Sequence, residues 1–303
     1  ALNGSVRRVN PELTQRVVDS AAALGYSVNA QAQAVARGSG NTVALVVGDI
    51  ADPYFAAIAA GVIEVARAHG LVVTIASSES ADEAVESATL AALRAQRPRA
   101  LLLAASRNAG VSWDALRGLD GLVVIGTEVP GLPSVVVDNF GGAADLAEAL
   151  RSRGYSDFVV LAGPHKLETV KGRVSGFVSE APDAVVIHGD FTRDGGYRSM
   201  AGLLAEGRTP ECVFAVTDVM ALGAMSAIRH AGLTPGIDIG VAGFDDLAVL
   251  QDVVPALTSV ALPLKRIGAS ALELAIAGAG SAVIAPRYRG EVRLRDSTPG
   301  PVR

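Results

Sequence analysis

The stretch VALVVGDIADPYFAAIAAGVIEVARAHGLVVTIA, residues 43–76, contains the pattern that decides the fold. It opens and closes with apolar runs of the length of a buried strand. Between them, Asp52 and Pro53 offer a helix cap and a first-turn proline, and Gly70 offers a left-handed stop. The stretch therefore predicts a strand, a helix over residues 54–69 and a second strand, which together form a βαβ unit.

The same alternation continues from Gly40 almost to the C-terminus. Strands are predicted at residues 43–47, 72–76, 100–104, 123–125, 134–137, 158–161, 185–188, 212–216, 239–243 and 259–261. Helices are predicted at residues 54–69, 81–95, 141–153, 168–179, 195–206, 219–231 and 264–277. Runs that are apolar throughout favour parallel strands covered on both faces. Because ten strands exceed one comfortable sheet, we predict an α/β fold of two doubly wound parallel-sheet lobes around a cleft, with the break near residues 138–142.

The first 40 residues follow a different pattern. Asn10 and Pro11 open an amphipathic helix that Gly25 closes, and its apolar positions are Leu13, Val17, Ala21 and Leu24. Residues 29–37 are rich in alanine and glutamine, and so short a helix is marginal by itself. We interpret this second segment as a linker that folds when something holds it.

Composition narrows the class of protein further. The chain has 303 residues, is 50% hydrophobic and has a formal net charge of −5, which excludes a disordered or collagen-like protein. Its longest charge-free run, residues 20–36, is polar in part, so no membrane span is expected. The single cysteine, Cys212, forms no internal disulfide, and no signal sequence is evident, so we expect a cytoplasmic protein. Four arginines against two acids in residues 1–40 fit either a polyanion partner or a solvated surface.

Catalytic and metal-binding signatures are missing from the sequence. Two Gly-x-Gly segments, residues 38–40 and 278–280, each lack the third glycine of a dinucleotide-binding loop. The four histidines have no metal-ligand spacing with one another or with Cys212. We therefore expect no enzyme, no cofactor and no metal site.

Several short segments occur in a characteristic order along the whole chain. In the leader they are residues 1–4, 9–14, 22–26 and 29–32. In the body they are Asp52-Pro53-Tyr54-Phe55, Val137-Asp138-Asn139, Arg173-Val174-Ser175-Gly176-Phe177, Gly189-Asp190-Phe191, Thr217-Asp218-Val219-Met220-Ala221-Leu222-Gly223, Gly243-Phe244-Asp245-Asp246, Leu257-Thr258-Ser259-Val260 and Arg295-Asp296-Ser297-Thr298. In this order the segments resemble the lactose/galactose repressor family of bacterial transcription regulators.

The resemblance implies a domain organisation. Residues 1–26 would be the end of a helix-turn-helix headpiece whose earlier part is missing, and residues 27–40 a hinge helix and linker. Two periplasmic-binding-protein-like lobes would follow, with three crossovers between them. The first lobe would contain residues 41–139 and 264–282, and the second residues 140–263 and 283–303.

The resemblance also implies a function. We expect a homodimeric, ligand-responsive repressor that couples lobe closure around a small effector to binding of operator DNA. The hinge residues matching the family's minor-groove contacts are Asn29, Ala32, Gln33 and Val35. A periplasmic-type sugar-binding protein of a transport system has the same two-lobed fold and is the alternative.

The matched segments place candidate effector-binding residues at the carboxyl ends of predicted strands, where open α/β sheets bind ligands. These candidates are Asp52, Tyr54, Phe55, Arg173, Phe191, Thr217, Asp218 and Asp245. Carboxylate and guanidinium groups bond adjacent hydroxyls, and aromatic rings cover C–H surfaces, so the set favours a sugar or polyol. Leu167 stands where purine-responsive relatives carry an arginine, which argues against a purine.

Each candidate also has a purely structural interpretation. Asp52, Asp218 and the neighbouring Asp138 are placed to cap helices. Arg173 could serve only as a structural ion-pair partner. Tyr54 and Phe55 are adjacent and cannot share one helix face, so one of them could belong to the core.

Overall fold

The computed structural model describes residues 10–24, 40–78, 83–104, 113, 116, 121–278 and 286–301. The strands of this part are β1 (Thr42–Val47), β2 (Val72–Ser77), β3 (Ala100–Ala104), β4 (Leu122–Gly126), β5 (Ser134–Val137), β6 (Phe158–Ala162), β7 (Val185–His188), β8 (Cys212–Ala215), β9 (Gly240–Asp245), β10 (Thr258–Ala261), β11 (Arg287–Tyr288) and β12 (Glu291–Arg293). Its α-helices are α1 (Pro11–Ala23), α2 (Pro53–Ala68), α3 (Glu83–Ala95), α4 (Asn139–Ser152), α5 (Glu168–Glu180), α6 (Arg193–Ala205), α7 (Asp218–His230) and α8 (Leu264–Ala277). No helix in this described part is both long and apolar enough to cross a membrane.

The strands form two six-stranded sheets with the same internal order. The first sheet runs β2-β1-β3-β4-β5-β11 and the second β7-β6-β8-β9-β10-β12. All pairings are parallel except β10 with β12, which is antiparallel. The predicted two-lobed, doubly wound α/β fold is thus confirmed. The prediction misses β11 and β12 because two or three residues carry no periodicity.

Helices cover both faces of the central strands. Along β1, Val43, Leu45 and Val47 belong to the large core under α2 and α8, whereas Ala44 and Val46 face a second cluster under α3. This explains why the run is apolar throughout rather than alternating.

The edge strands differ from the expectation that every strand is covered on both faces. In β2, Val72 is 59% exposed and Ile75 is 36% exposed, and in β7 Val185 is 38% exposed. An edge strand has a neighbour on one side only, so its apolar sequence does not guarantee burial.

The chain passes between the lobes three times. It leaves the first sheet at Asp138, returns between β10 and α8 at residues 262–263, and leaves again between β11 and β12 at residues 289–290. The first and third passages lie side by side, because the Asp138 amide donates to the Tyr288 carbonyl over 2.8 Å.

One predicted boundary is wrong. The expected organisation assigns every residue from 283 onward to the second lobe, but β11 pairs with β5 of the first sheet. The return to the first lobe therefore extends to Tyr288, and only β12 and the tail after it join the second lobe.

The leader helix α1 lies without support from the described core. The Asn10 side chain caps it by accepting from the Glu12 amide, yet Leu13 and Val17 of its apolar face are 53% and 40% exposed. Gly25 and the predicted hinge residues Asn29, Ala32, Gln33 and Val35 lie outside the described residues.

Glycines let the helix pairs of the lobes approach closely. A Cβ atom at Gly61 of α2 would overlap the Lys265 carbonyl of α8, and one at Gly268 of α8 would overlap the Ile58 carbonyl of α2. The α6–α7 pair repeats this close contact through Gly196. The backbones, rather than side chains, thus form the contact in both pairs.

We expect Gly61→Ala to destabilise the protein by at least about 1–3 kcal/mol, because α2 and α8 must separate to admit the methyl group. Gly202→Ala is the matched control, since open space surrounds that helical position and alanine should stabilise it by about 0.5–1 kcal/mol. Thermal and urea unfolding measure both changes. Equal stability of the two variants would contradict this packing.

Candidate functional site

The loops that leave the two sheets at their carboxyl ends meet in a cleft between the lobes. The helix start at Asp52 and Tyr54 follows β1, and Asp245 is the last residue of β9. Charges from the second lobe act across this cleft, since Arg173 lowers the pKa of Asp52 and Asp245 raises that of Tyr54. The cleft lies at the switch point of the strand order, as expected for this fold class.

A buried ion pair forms the floor of the cleft in the second lobe. Nη2 of Arg173 donates to Oδ1 of Asp245 over 2.9 Å, and the two side chains are only 3% and 4% exposed. Nη1 of Arg173 also donates to the Val216 carbonyl over 2.6 Å. The guanidinium carbon lies 3.9 Å from the centre of the Phe244 ring. Such packing holds the guanidinium in one orientation.

Asn139 completes this pair, although the sequence does not single it out as a site residue. Its Oδ1 accepts from Nε of Arg173 over 2.9 Å, and its Nδ2 donates to the Val137 carbonyl over 3.4 Å. Val137 ends β5 of the first lobe and Asn139 begins α4 of the second. The segment Val137-Asp138-Asn139 is one of the family segments, but its contact with Arg173, 34 residues away, exists only in the folded chain.

The backbone at the end of β9 adopts a conformation that is rare for residues other than glycine. Asp245 has φ 114° and Asp246 has φ 57°. Contacts on both sides hold Asp246 in place. Its carboxylate pairs with Arg293 over 3.0 Å and Arg295 over 2.6 Å, and its amide donates to the Ser259 hydroxyl over 3.1 Å. Strained backbone of this kind clusters at ligand sites, where the surroundings enforce it.

The protonation of Asp245 responds to its surroundings. Burial raises the pKa of Asp245 to about 7, the Arg173 guanidinium lowers it, and the Asp52 carboxylate raises it again. The carboxyl group therefore gains or loses a proton near neutral pH.

Asp52 caps α2 and also faces the cleft. Its Oδ1 accepts from the Tyr54 amide over 2.9 Å, so the capping interpretation of this residue holds. Burial raises the pKa of Asp52, and the charge of Asp49 raises it further. One carboxylate oxygen makes the cap, and the other is free of that bond.

The two adjacent aromatic residues of α2 point in different directions, as their spacing requires. Phe55 packs toward Gly48 at the end of β1. Burial and the nearby Asp245 carboxylate raise the pKa of Tyr54, which locates its hydroxyl on the side of the second lobe. The two rings meet edge to face, with centroids 5.1 Å apart.

Phe191 and Thr217 border the same end of the second sheet. The Phe191 ring lies against Gly163, just after β6. The Thr217 hydroxyl accepts from the Met220 amide over 3.3 Å and so caps α7. Phe191 is half-buried and keeps part of its surface accessible, whereas Thr217 is occupied mainly with its helix.

Asp218 does not belong to the candidate site, contrary to the prediction. It is fully buried, its Oδ1 accepts from the Ser259 hydroxyl over 2.6 Å, and its Oδ2 accepts from the Leu247 amide over 2.9 Å. It does not cap α7 either, because Thr217 does. Asp218 instead joins α7 to β10 and to the loop after β9 beneath the cleft.

Known proteins share this architecture and much of this sequence. A family model described as a periplasmic binding protein-like domain matches residues 147–298. The HTH-type transcriptional regulator GalS of Salmonella typhimurium is 31% identical over 282 residues, covering 89% of this chain and 82% of GalS. The chain belongs to the lactose/galactose repressor (LacI/GalR) family of transcriptional regulators.

Other members agree with this assignment. The HTH-type transcriptional repressor CytR of Escherichia coli is 29% identical over 276 residues, covering 88% of this chain and 81% of CytR. The Lac repressor bound to ONPG in its repressed state has the same fold, with a TM-score of 0.85 at 23% identity over 98% of this chain and 94% of that one. The CelR–cellobiose complex gives a TM-score of 0.73 at 26% identity over 98% of this chain and 93% of CelR. The curated relatives are transcriptional regulators and not enzymes.

We expect Asp245→Asn to flatten the dependence of stability on pH. In the unfolded chain an aspartate titrates near pH 4, so between about pH 4 and 7 the folded protein holds a proton that the unfolded chain has lost. This group therefore lowers stability as pH rises through that window, by at most about 1.4 kcal/mol per pH unit.

The free energy of unfolding of both proteins between pH 4.5 and 8 measures this effect. All other titrating groups are common to both proteins, so the difference in slope isolates Asp245. Identical slopes would contradict the assigned protonation of this residue.

Proposed function

We propose that this LacI/GalR-family protein is a repressor whose cleft binds a small sugar or polyol and whose homodimer binds operator DNA. The observation that carries the proposal is the buried Arg173–Asp245 pair, which faces Asp52 and Tyr54 of the other lobe. Groups contributed by two lobes can hold one ligand between them, and that ligand then favours the closed arrangement.

Hydrogen-bond stoichiometry supports a hydroxyl-bearing ligand. Arg173 has five N–H groups, and three of them are used by Asn139, Val216 and Asp245. The two remaining donors and the free carboxylate oxygens of Asp52 and Asp245 suit hydroxyls on adjacent carbons, each of which both donates and accepts.

Apolar groups support the same ligand class. The rings of Tyr54, Phe55 and Phe191 are half-buried near the cleft and can cover the C–H faces of a sugar. Leu167 is buried and offers no polar group to a purine. Solved relatives carry cellobiose in CelR and ribose in a regulator from Enterococcus faecium.

Coupling to DNA would use the passages between the lobes. Asn139 connects the Arg173 guanidinium to Val137 at the first passage, so a ligand that reorients Arg173 also acts on the lobe boundary. A ligand that prefers one arrangement about a hundredfold supplies roughly 2.7 kcal/mol of bias. Rotation of the first lobes in a two-fold dimer then changes the spacing of the hinge segments on an operator of two half-sites.

We expect Arg173→Ala and Asp245→Asn to abolish the rise in melting temperature that the effector causes. A panel of sugars, polyols and nucleosides screened by thermal shift identifies the effector, because a ligand that binds only the folded state raises that temperature. Asp245→Asn is included because loss of one partner of a buried pair costs about 3–5 kcal/mol and Arg173→Ala could unfold.

Arg208→Ala is the matched control, since Arg208 is half-exposed and pairs with Asp157 at the opposite, amino end of the second sheet. It should keep the full ligand response. Unchanged affinity in both cleft variants would refute the site.

The DNA-binding half of the proposal predicts that the product of the complete gene selects a pseudo-palindromic duplex from a random library. The two half-sites should reflect the symmetry of a dimer. Addition of the effector from the thermal-shift screen should change the affinity for the selected duplex at least tenfold. A selected duplex without symmetry, or an affinity that ignores the effector, would contradict the proposal.

A further inference from the structure

The cleft contains more negative than positive charge. Asp49 and Asp52 lie in the loop after β1, and Asp245 faces them from the second lobe. Arg173 is the cation that acts on both Asp52 and Asp245. Three carboxylates therefore share one guanidinium, and the like charges of Asp49, Asp52 and Asp245 oppose one another.

Arg173 has little capacity to offset a second carboxylate. Its Nη2 is bonded to Asp245, its Nη1 to the Val216 carbonyl and its Nε to Asn139. The Phe244 ring covers one face of the guanidinium. The charge of Asp52 thus lies across the cleft from a cation that is already paired at 2.9 Å.

Neighbouring cations are engaged elsewhere or exposed to solvent. Arg287 pairs with Glu128 over 2.6 Å, while Arg293 and Arg295 pair with Asp246. Lys166, in the loop after β6, is exposed, so solvent and salt screen its charge. Within the described part of the chain, these four cations therefore leave Asp52 and Asp245 to the single guanidinium of Arg173.

A further polar group lies among these carboxylates. The Tyr54 hydroxyl is close enough to Asp245, Arg173 and Asp52 to feel the charge of each, yet it forms no hydrogen bond with any residue of the described part. A phenol shielded from water normally has a partner. Its oxygen can accept from a ligand N–H, and its ring can contact a cation.

We propose that the effector carries a protonated amine in addition to its hydroxyls, and that Asp52 and Asp245 hold this ammonium group between the lobes beside Tyr54. An amino sugar is the simplest such molecule. The proposal rests on the proposed function, because it assigns a ligand class to the same cleft. An ammonium group would offset the unpaired charge of Asp52 and tie it to Asp245, which favours the closed lobes.

Matched pairs of ligands test the charge directly. Titration calorimetry and thermal shift compare D-glucosamine with D-glucose, D-galactosamine with D-galactose, and the β-1,4-linked glucosamine disaccharide with cellobiose. The corresponding N-acetylated sugars keep the nitrogen but lose the charge. We expect at least one amine to bind about tenfold or more tightly than both its neutral and its N-acetylated counterparts.

The outcomes separate this inference from the proposed function. A neutral sugar that binds as tightly as its amine overturns the ammonium site and leaves the sugar-responsive repressor standing. An absence of binding by any amine overturns the inference, and the wider panel of sugars and polyols then decides the proposed function independently.

Asp52→Asn provides a second test, whose first readout is made on the ligand-free protein. Asparagine caps helices as well as aspartate does, so α2 keeps its cap while the charge is removed. We expect the ligand-free variant to melt at a higher temperature than the original protein, because like-charge repulsion is relieved. In the presence of the bound amine, the preference over the neutral sugar should fall at least about tenfold.

Asp138→Asn is the control, since Asp138 caps α4 in the same way but its charge favours the adjacent cation Arg289. It should show no gain in melting temperature. An Asp52→Asn variant that melts no higher, or that retains the amine preference, overturns the inference.

Discussion

The buried contact between Arg173 and Asp245 is the interaction on which the site depends. Removing two charges from water is costly, and the cost is met only when the surrounding groups satisfy the remaining donors and acceptors. Here the Val216 carbonyl, Asn139 and the Phe244 ring surround the guanidinium. Each comes from a different element of the second lobe, so the pair can exist only when that lobe is assembled.

The two lobes repeat one strand order, and this repetition explains why the site lies where it does. In each sheet the first strand lies beside the third, and loops at the carboxyl ends of these strands diverge to opposite faces. The first lobe supplies Asp52 and Tyr54 from its first loop, and the second supplies Arg173 and Asp245. Asn139 lies at the passage between them, where its amide contacts both the last strand residue of the first lobe and the guanidinium of the second.

Particular residues show how far sequence reasoning reaches into the site. Asp52 and Pro53 mark a helix start correctly, because a cap is a local interaction between residues two positions apart. The prediction for Asp218 is wrong, because an acid after a strand gives the same pattern whether its side chain faces the cleft or the core. Its partners Ser259 and Leu247 are 41 and 29 residues away, and no local pattern reports them. Asn139 escapes prediction for the same reason.

The sequence alone determined the α/β class, the ten longer strands, their helices and the family segments, because apolar periodicity, caps and turns act over a few residues. Tertiary structure alone decided which acid pairs with Arg173, which acid lies under the cleft, and that Arg287–Tyr288 returns to the first sheet. These depend on which distant strands become neighbours. Charge balance in the cleft belongs to the second group as well, since Asp49, Asp52 and Asp245 oppose one another only after the lobes bring them together.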